Sequence, residues 1–164
     1  MNEQQRLFLV QAQSDFRVFD LLRNAANTPH CHALHYLQMA TEKLGKAYAW
    51  RHGSGPADSH RAFVRLLRDI STNRAAQKRL RYDGNNEKWK HVIRKSIPLA
   101  KQIEDLAPAL ADGENPEYPW PQSLPRIAPA EHHFGIWEEI QDKPAGRQFL
   151  KLVASLFAIA ESFF

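Results

Sequence analysis

The chain of 164 residues has one cysteine, Cys31, so no disulfide can close within it, and a reducing compartment suits it. It has no long apolar run. The most apolar stretch, Leu152 to Ala160, is too short to cross a bilayer, so no membrane partner is expected. The opening residues, MNEQQR, lack the basic start and apolar core of a signal peptide, and a cytoplasmic protein is the default expectation. A Gly-rich phosphate loop, a Ser-His-Asp arrangement and a helix-turn-helix are all missing. Convincing strand pairs, hairpin turns and internal repeats are missing too. These absences leave an all-α domain with no complete catalytic motif and no cofactor signature.

What is present is a globular composition, 43% hydrophobic and 24% charged, of a length that fits one domain. The net charge of +4 conceals an asymmetry. Arg51 to Lys95 holds 12 Lys and Arg against 4 Asp and Glu, an excess of eight positive charges. Glu104 to Phe164 holds 4 against 10, an excess of six negative charges. A basic middle fits an anionic partner such as a nucleotide or RNA. The competing reading is that the acidic C-terminal part folds over the middle and neutralises it.

Apolar spacing lays out the helices. Gln4 to Arg23 carries a stripe of Leu9, Ala12, Phe16, Phe19 and Leu22. Pro29 to Arg51 carries Leu34, Leu37, the Thr41 methyl, Leu44 and Tyr48, with Thr28 placed to cap it and Pro29 to open it. Gly53 to Pro56 break that pattern. A third helix over His60 to Ser71, capped by Asp58 or Ser59, buries Phe63, Leu66, Leu67 and Ile70, and a short fourth spans Asn73 to Arg81. Glu87 to Leu110 reads as a long helix with Trp89, Val92, Ile93, Ile97, Ala100, Ile103 and Ala107 inward, kinked at Pro98 or divided near Ser96-Ile97. Asp112 to Ala130 holds five prolines and forms an extended arm, expected to pack through Tyr118, Trp120 and Leu124. A short turn over Phe134 to Ile140 follows. The last helix, capped by Asp142, has a broad apolar face from Phe149 to Phe163 that is either buried or used for self-association.

The order of these motifs resembles a known family. An Asp-, Phe- and Leu-rich first helix leads to Leu37-Gln38-Met39-Ala40-Thr41-Glu42-Lys43-Leu44-Gly45-Lys46-Ala47. Ser59-His60 opens the third helix, Arg81-Tyr82 precedes the long one, and Ala100-Lys101-Gln102-Ile103 lies within it. From about Gln4 to Leu110 this is similar to the HEPN domain. The resemblance implies an antiparallel bundle that often dimerises, found alone or as the partner of a nucleotidyltransferase. It implies two branches, metal-independent endoribonucleases of toxin or defence type and non-catalytic members that bind nucleotides or proteins. The expected architecture is an all-α, antiparallel HEPN-like bundle over residues 1–111, with the Pro-rich arm and an extra C-terminal helix over 112–164 packed on the same domain.

The ribonuclease branch needs an arginine and a histidine separated by four to six residues. Arg23 with His30, and Arg126 with His132 or His133, have that spacing, but neither lies where the family's motif does, and about two such matches arise by chance. His30, Cys31, His32 and His35 are metal-ligand types, but three of them point in different directions around a helix, so no metal is expected. Glu42 and Lys46 are spaced for a helical ion pair, leaving Lys43 to meet an anion or the acidic arm. Lys43, Arg79, Arg81, Tyr82, Lys90 and Arg94 are the candidate nucleotide- or nucleic-acid-binding residues, cations for phosphates and an aromatic for stacking. Trp89 lies among them but belongs to the core stripe. The reading is a non-catalytic homodimer that binds a nucleotide or nucleic acid or serves as the partner of a nucleotidyltransferase. An endoribonuclease and a purely structural interaction protein are the alternatives.

Overall fold

The second helix is the centre of the molecule because its apolar residues recur on more than one side. Of the twenty residues in α2 (His30–Ala49), twelve are buried, including Leu34, Leu37, Thr41, Leu44 and Tyr48. Three helices pack on it: α1 (Glu3–Leu22), α3 (Ala62–Ile70) and α5 (Asn86–Asp105). The computed structural model describes residues 1–52, 60–107, 113–121 and 124–163. Over these the chain is all-helical, completed by α4 (Arg74–Arg79), α6 (Gly135–Gln141) and α7 (Pro144–Phe163). Among the described residues the nearest approach to a sheet is a lone antiparallel bridge, Trp120 to Ile127. No helix among them is long and apolar enough to cross a membrane.

The approach of α3 to α2 is set by Gly45. A Cβ there would overlap the backbone of Ala62 and Phe63, so glycine lets the start of α3 lie directly on α2. Gly146 does the same between α7 and the backbone of Glu139 and Ile140 in α6.

Several elements differ from the sequence expectation. Pro29 itself occupies the N-cap place of α2, with no side-chain cap, so Thr28 does not cap it. Asp58, Ser59, the Gly53–Pro56 break, Leu110 and Phe164 lie outside the described residues. The described cap of α3 is remote in sequence. Glu104, on α5, accepts hydrogen bonds at Oε1 from the N–H groups of Phe63 (2.8 Å) and Val64 (2.9 Å). These are two of the donors that a helix start leaves without intrahelical partners. α5 runs unbroken through Pro98 and ends at Asp105.

The arm packs by Trp120, which is 6% exposed, while Tyr118 and Leu124 are 60% and 84% exposed. The arm turns on Asn115, whose Oδ1 accepts from the N–H groups of Glu117 and Tyr118, and this turn leaves the Tyr118 ring outside. Trp120 instead meets His132 and Phe134 ring to ring. Phe163 stacks on Tyr48 at 6.0 Å, so the end of α7 lies against the core.

Candidate anion-binding cleft

The charged residues of the α2 part of that motif, Glu42, Lys43 and Lys46, are satisfied by neighbouring side chains. Lys43 Nζ lies 2.6 Å from Asp15 Oδ2, and Gln11 donates to the other oxygen of Asp15. Lys43 therefore faces α1, not an anion or the arm. Glu42 accepts from Lys46 (2.6 Å) and from Gln38 (2.7 Å), and His60 Nδ1 is 3.3 Å away. Burial alone would raise the Glu42 pKa. The bonds and charge of Lys46, with help from His60 and Gln38, more than offset that and hold it below the usual value.

Glu104 is the opposite case. It is 2% exposed, and burial pushes its pKa up to about 7 despite its two bonds to the start of α3. Its Oε2 has no hydrogen-bond partner among the described residues.

A different arrangement appears where α4 ends and α5 and α7 begin. A cleft of about 590 Å³ is lined by Leu80, Arg81, Tyr82, Lys88, Pro144, Arg147, Gln148, Lys151, Leu152 and Ser155. Four of these are cations and none is a carboxylate. Among the described residues Arg81, Lys88 and Lys151 make no ion pair, and Arg147 donates to the Asp142 carbonyl (2.5 Å). Lys88 stands in the first turn of α5 and Pro144 opens α7, so two helix N-termini add partial positive charge there.

The local chain explains how Arg81 reaches this place. α4 ends in a Schellman turn, with the Tyr82 N–H on the Gln77 carbonyl (2.9 Å) and the Arg81 N–H on that of Lys78 (3.0 Å). Arg81 takes the left-handed position of that turn, at φ 61°, where glycine is the usual residue. The ring of Tyr82 leans on the buried Trp89 at 5.3 Å. Trp89 is fully buried, with its indole N–H on the Ser71 carbonyl, which is the core role its spacing indicates.

Of the six candidate binding residues, the cleft brings together Arg81 and Tyr82. Arg79 is tied by its guanidinium to the Ser162 carbonyl and hydroxyl, anchoring α4 to the end of α7. Lys90 and Arg94 line a separate depression with Ser71, Glu87, His91, Ile93 and Ile97. Arg147, Gln148, Lys151 and Ser155 are the additions. Arg147 and Lys151 were legible as two cations four apart in an otherwise acidic region, on the polar side of a helix read for its apolar side.

The candidate arginines and histidines are engaged separately. Arg23 pairs with Asp20 (3.0 Å) and lies over the Phe19 ring, while His30 stacks on Trp137 at 4.5 Å. His132 meets Glu114 at 2.9 Å, and Arg126 lies on an exposed part of the arm. Cys31 is buried, and burial raises its thiol pKa. Among the described residues no three His, Cys, Asp or Glu side chains come together as a metal site. The arm's Glu117 and Glu114 pair with histidines, His35 (3.0 Å) and His132, and Glu138 of α6 pairs with His133 (3.2 Å). No family model, no curated protein and no solved structure matches the chain.

Proposed function

We propose that the chain is a non-catalytic, HEPN-like binder of phosphate-bearing ligands, a nucleotide or a nucleic-acid strand, and that the α4–α5–α7 cleft is its site. The observation that carries this reading is a concave surface lined by Arg81, Lys88, Arg147 and Lys151 with no carboxylate among its lining. Cations left without acids in one cleft repel one another, and a bound phosphate removes that repulsion. A volume of about 590 Å³ suits a nucleotide-sized ligand. Tyr82 adds an aromatic ring to the lining, and Gln148 and Ser155 offer neutral hydrogen-bonding groups for a base or sugar. The backbone of Arg81 supports the reading further. A side chain held in a left-handed position that favours glycine carries a conformational cost, and such outliers concentrate at functional sites.

The test is fluorescence anisotropy of the full chain with a fluorescein-labelled ATP analogue and a labelled oligouridylate, over a salt series. Binding should weaken steeply with salt. Arg147→Ala and Lys151→Ala should each weaken it and lower the salt slope by about one for each phosphate no longer neutralised. Affinity unchanged in both variants would reject the cleft. RNA cleavage that persists in EDTA and disappears in Arg23→Ala or His30→Ala would replace binding by the endoribonuclease reading.

A further inference from the structure

The outer side of α1 is apolar and uncovered. α1 packs almost wholly on α2 and only lightly on α7. Leu7, Val10 and Leu21 are left 49%, 51% and 73% exposed, and Val18 and Ser14 are half-buried between them. Positions 7, 10, 14, 18 and 21 follow the three-and-four spacing of one helix face. Lone exposed apolar residues are ordinary, but a stripe along the whole length of a helix is not.

The stripe is symmetric about Ser14. Val10 and Val18 lie four residues to either side of it, and Leu7 and Leu21 seven to either side. We propose that this face docks a second copy of the chain, with the two α1 helices antiparallel and Ser14 on the two-fold axis. A two-fold interface is self-complementary, so a residue on one chain must suit its counterpart across the axis. Here Leu7 meets the partner's Leu21, Val10 lies toward the partner's Val18, and the small Ser14 lets the helices approach closely.

The charges select the same orientation. Glu3 pairs with Arg6 at one end of α1 (2.8 Å), and Asp20 with Arg23 at the other (3.0 Å). Arg6 and Asp20 lie on the same flank by helical spacing, and antiparallel packing brings Arg6 to within about 3 Å along the axis of the partner's Asp20. The two ion pairs then join into one alternating set at each end of the interface. Parallel packing would set Glu3 against Glu3 and Arg6 against Arg6, which costs energy. A helix of this length offers about 500 Å² per chain, less than the roughly 800 Å² of a standard interface, so the dimer should dissociate in the micromolar range.

The test uses the full chain. Sedimentation velocity should show a dimer at about 100 μM that separates on dilution, and Leu7→Glu or Leu21→Glu should give a folded monomer at the same concentration. A short bismaleimide then reads the geometry, with the buried Cys31 as a silent background. Ser14→Cys should cross-link to itself and Leu7→Cys should not, whereas Leu7→Cys mixed with Leu21→Cys should. A monomer at every concentration, a dimer indifferent to both glutamates, or self-linking of Leu7→Cys would each overturn the proposal.

Discussion

The α2 surface and the α7 cleft both concentrate charge, and they treat it in opposite ways. Around α2, Asp15 faces Lys43, and Glu42 faces Lys46, Gln38 and His60, so each buried charge meets a partner within hydrogen-bond reach. In the cleft, Arg81, Lys88 and Lys151 stand together with no acid. Paired charges inside a bundle fix which helix lies against which, and they leave nothing over for a ligand. Unpaired cations at a surface contribute nothing to the fold, and their field is free to act on something else. The difference predicts that mutations around α2 change stability and spare binding, while mutations in the cleft do the reverse.

The largest effect should come from breaking a pair on α2. Lys43→Met leaves the Asp15 carboxylate almost buried with only Gln11 to meet it, and should cost about 3–5 kcal/mol of unfolding free energy. Replacing both, Asp15→Leu with Lys43→Met, should recover most of that loss, because no uncompensated charge remains. Urea unfolding of the two single variants and the double variant measures the coupling. Ligand affinity in the cleft should stay at the wild-type value. A Lys43→Met protein as stable as wild type would show that the pair is not a determinant of the α1–α2 packing.

The two buried glutamates sharpen the contrast through pH. Glu42 has its pKa held below 4.5, so its contribution is present above pH 4.5 and is lost as the pH falls through its folded value. Glu104 has its pKa raised to about 7, so the folded chain keeps a proton that the unfolded chain releases near 4.5. Its contribution is complete below pH 4.5 and is lost as the pH rises toward 7. The span between those values corresponds to at most about 3 kcal/mol. Glu104→Gln keeps an oxygen for the Phe63 and Val64 N–H groups but cannot ionise. Between pH 5 and 7.5 wild type should lose stability relative to this variant, and parallel stability–pH curves would sink the assignment.

What could be read from the sequence divides along the same line. The α2 stripe was legible because helical burial is periodic, and the Glu42–Lys46 pair because its partners are four residues apart on one helix. Glu104 as the cap of α3 was not, since donor and acceptor are 41 residues apart and only the tertiary fold brings them together. Asp15 as the partner of Lys43 is hidden for the same reason. The cleft was half legible. Arg81 and Tyr82 stood out in the basic middle, but Arg147 and Lys151 reach them from a region whose net charge is negative. In the arm no period indicates which aromatic turns inward, and the Asn115 turn settles it by burying Trp120 and exposing Tyr118.

Arg81 is the residue where the two kinds of charge can be separated within one side chain position. Its backbone holds a left-handed conformation at φ 61° that closes α4, and its guanidinium belongs to a cleft without acids. Arg81→Gly removes the guanidinium and supplies the residue that this turn favours. The relief of the left-handed backbone is worth about 1–2 kcal/mol. Glycine's greater freedom in the unfolded chain returns about 0.4–1 kcal/mol of that. The net effect should be a variant of equal or greater stability, by up to about 1.5 kcal/mol, whose affinity for the labelled nucleotide falls several-fold with a shallower salt slope. Arg81→Ala, which keeps the backbone cost and loses the same cation, should bind as weakly as the glycine variant and be less stable than it. A glycine variant that binds like wild type would remove Arg81 from the cleft's work and leave its conformation without a functional reason. Retained stability with lost binding would mean that this turn keeps an arginine for its charge against the preference of its own backbone.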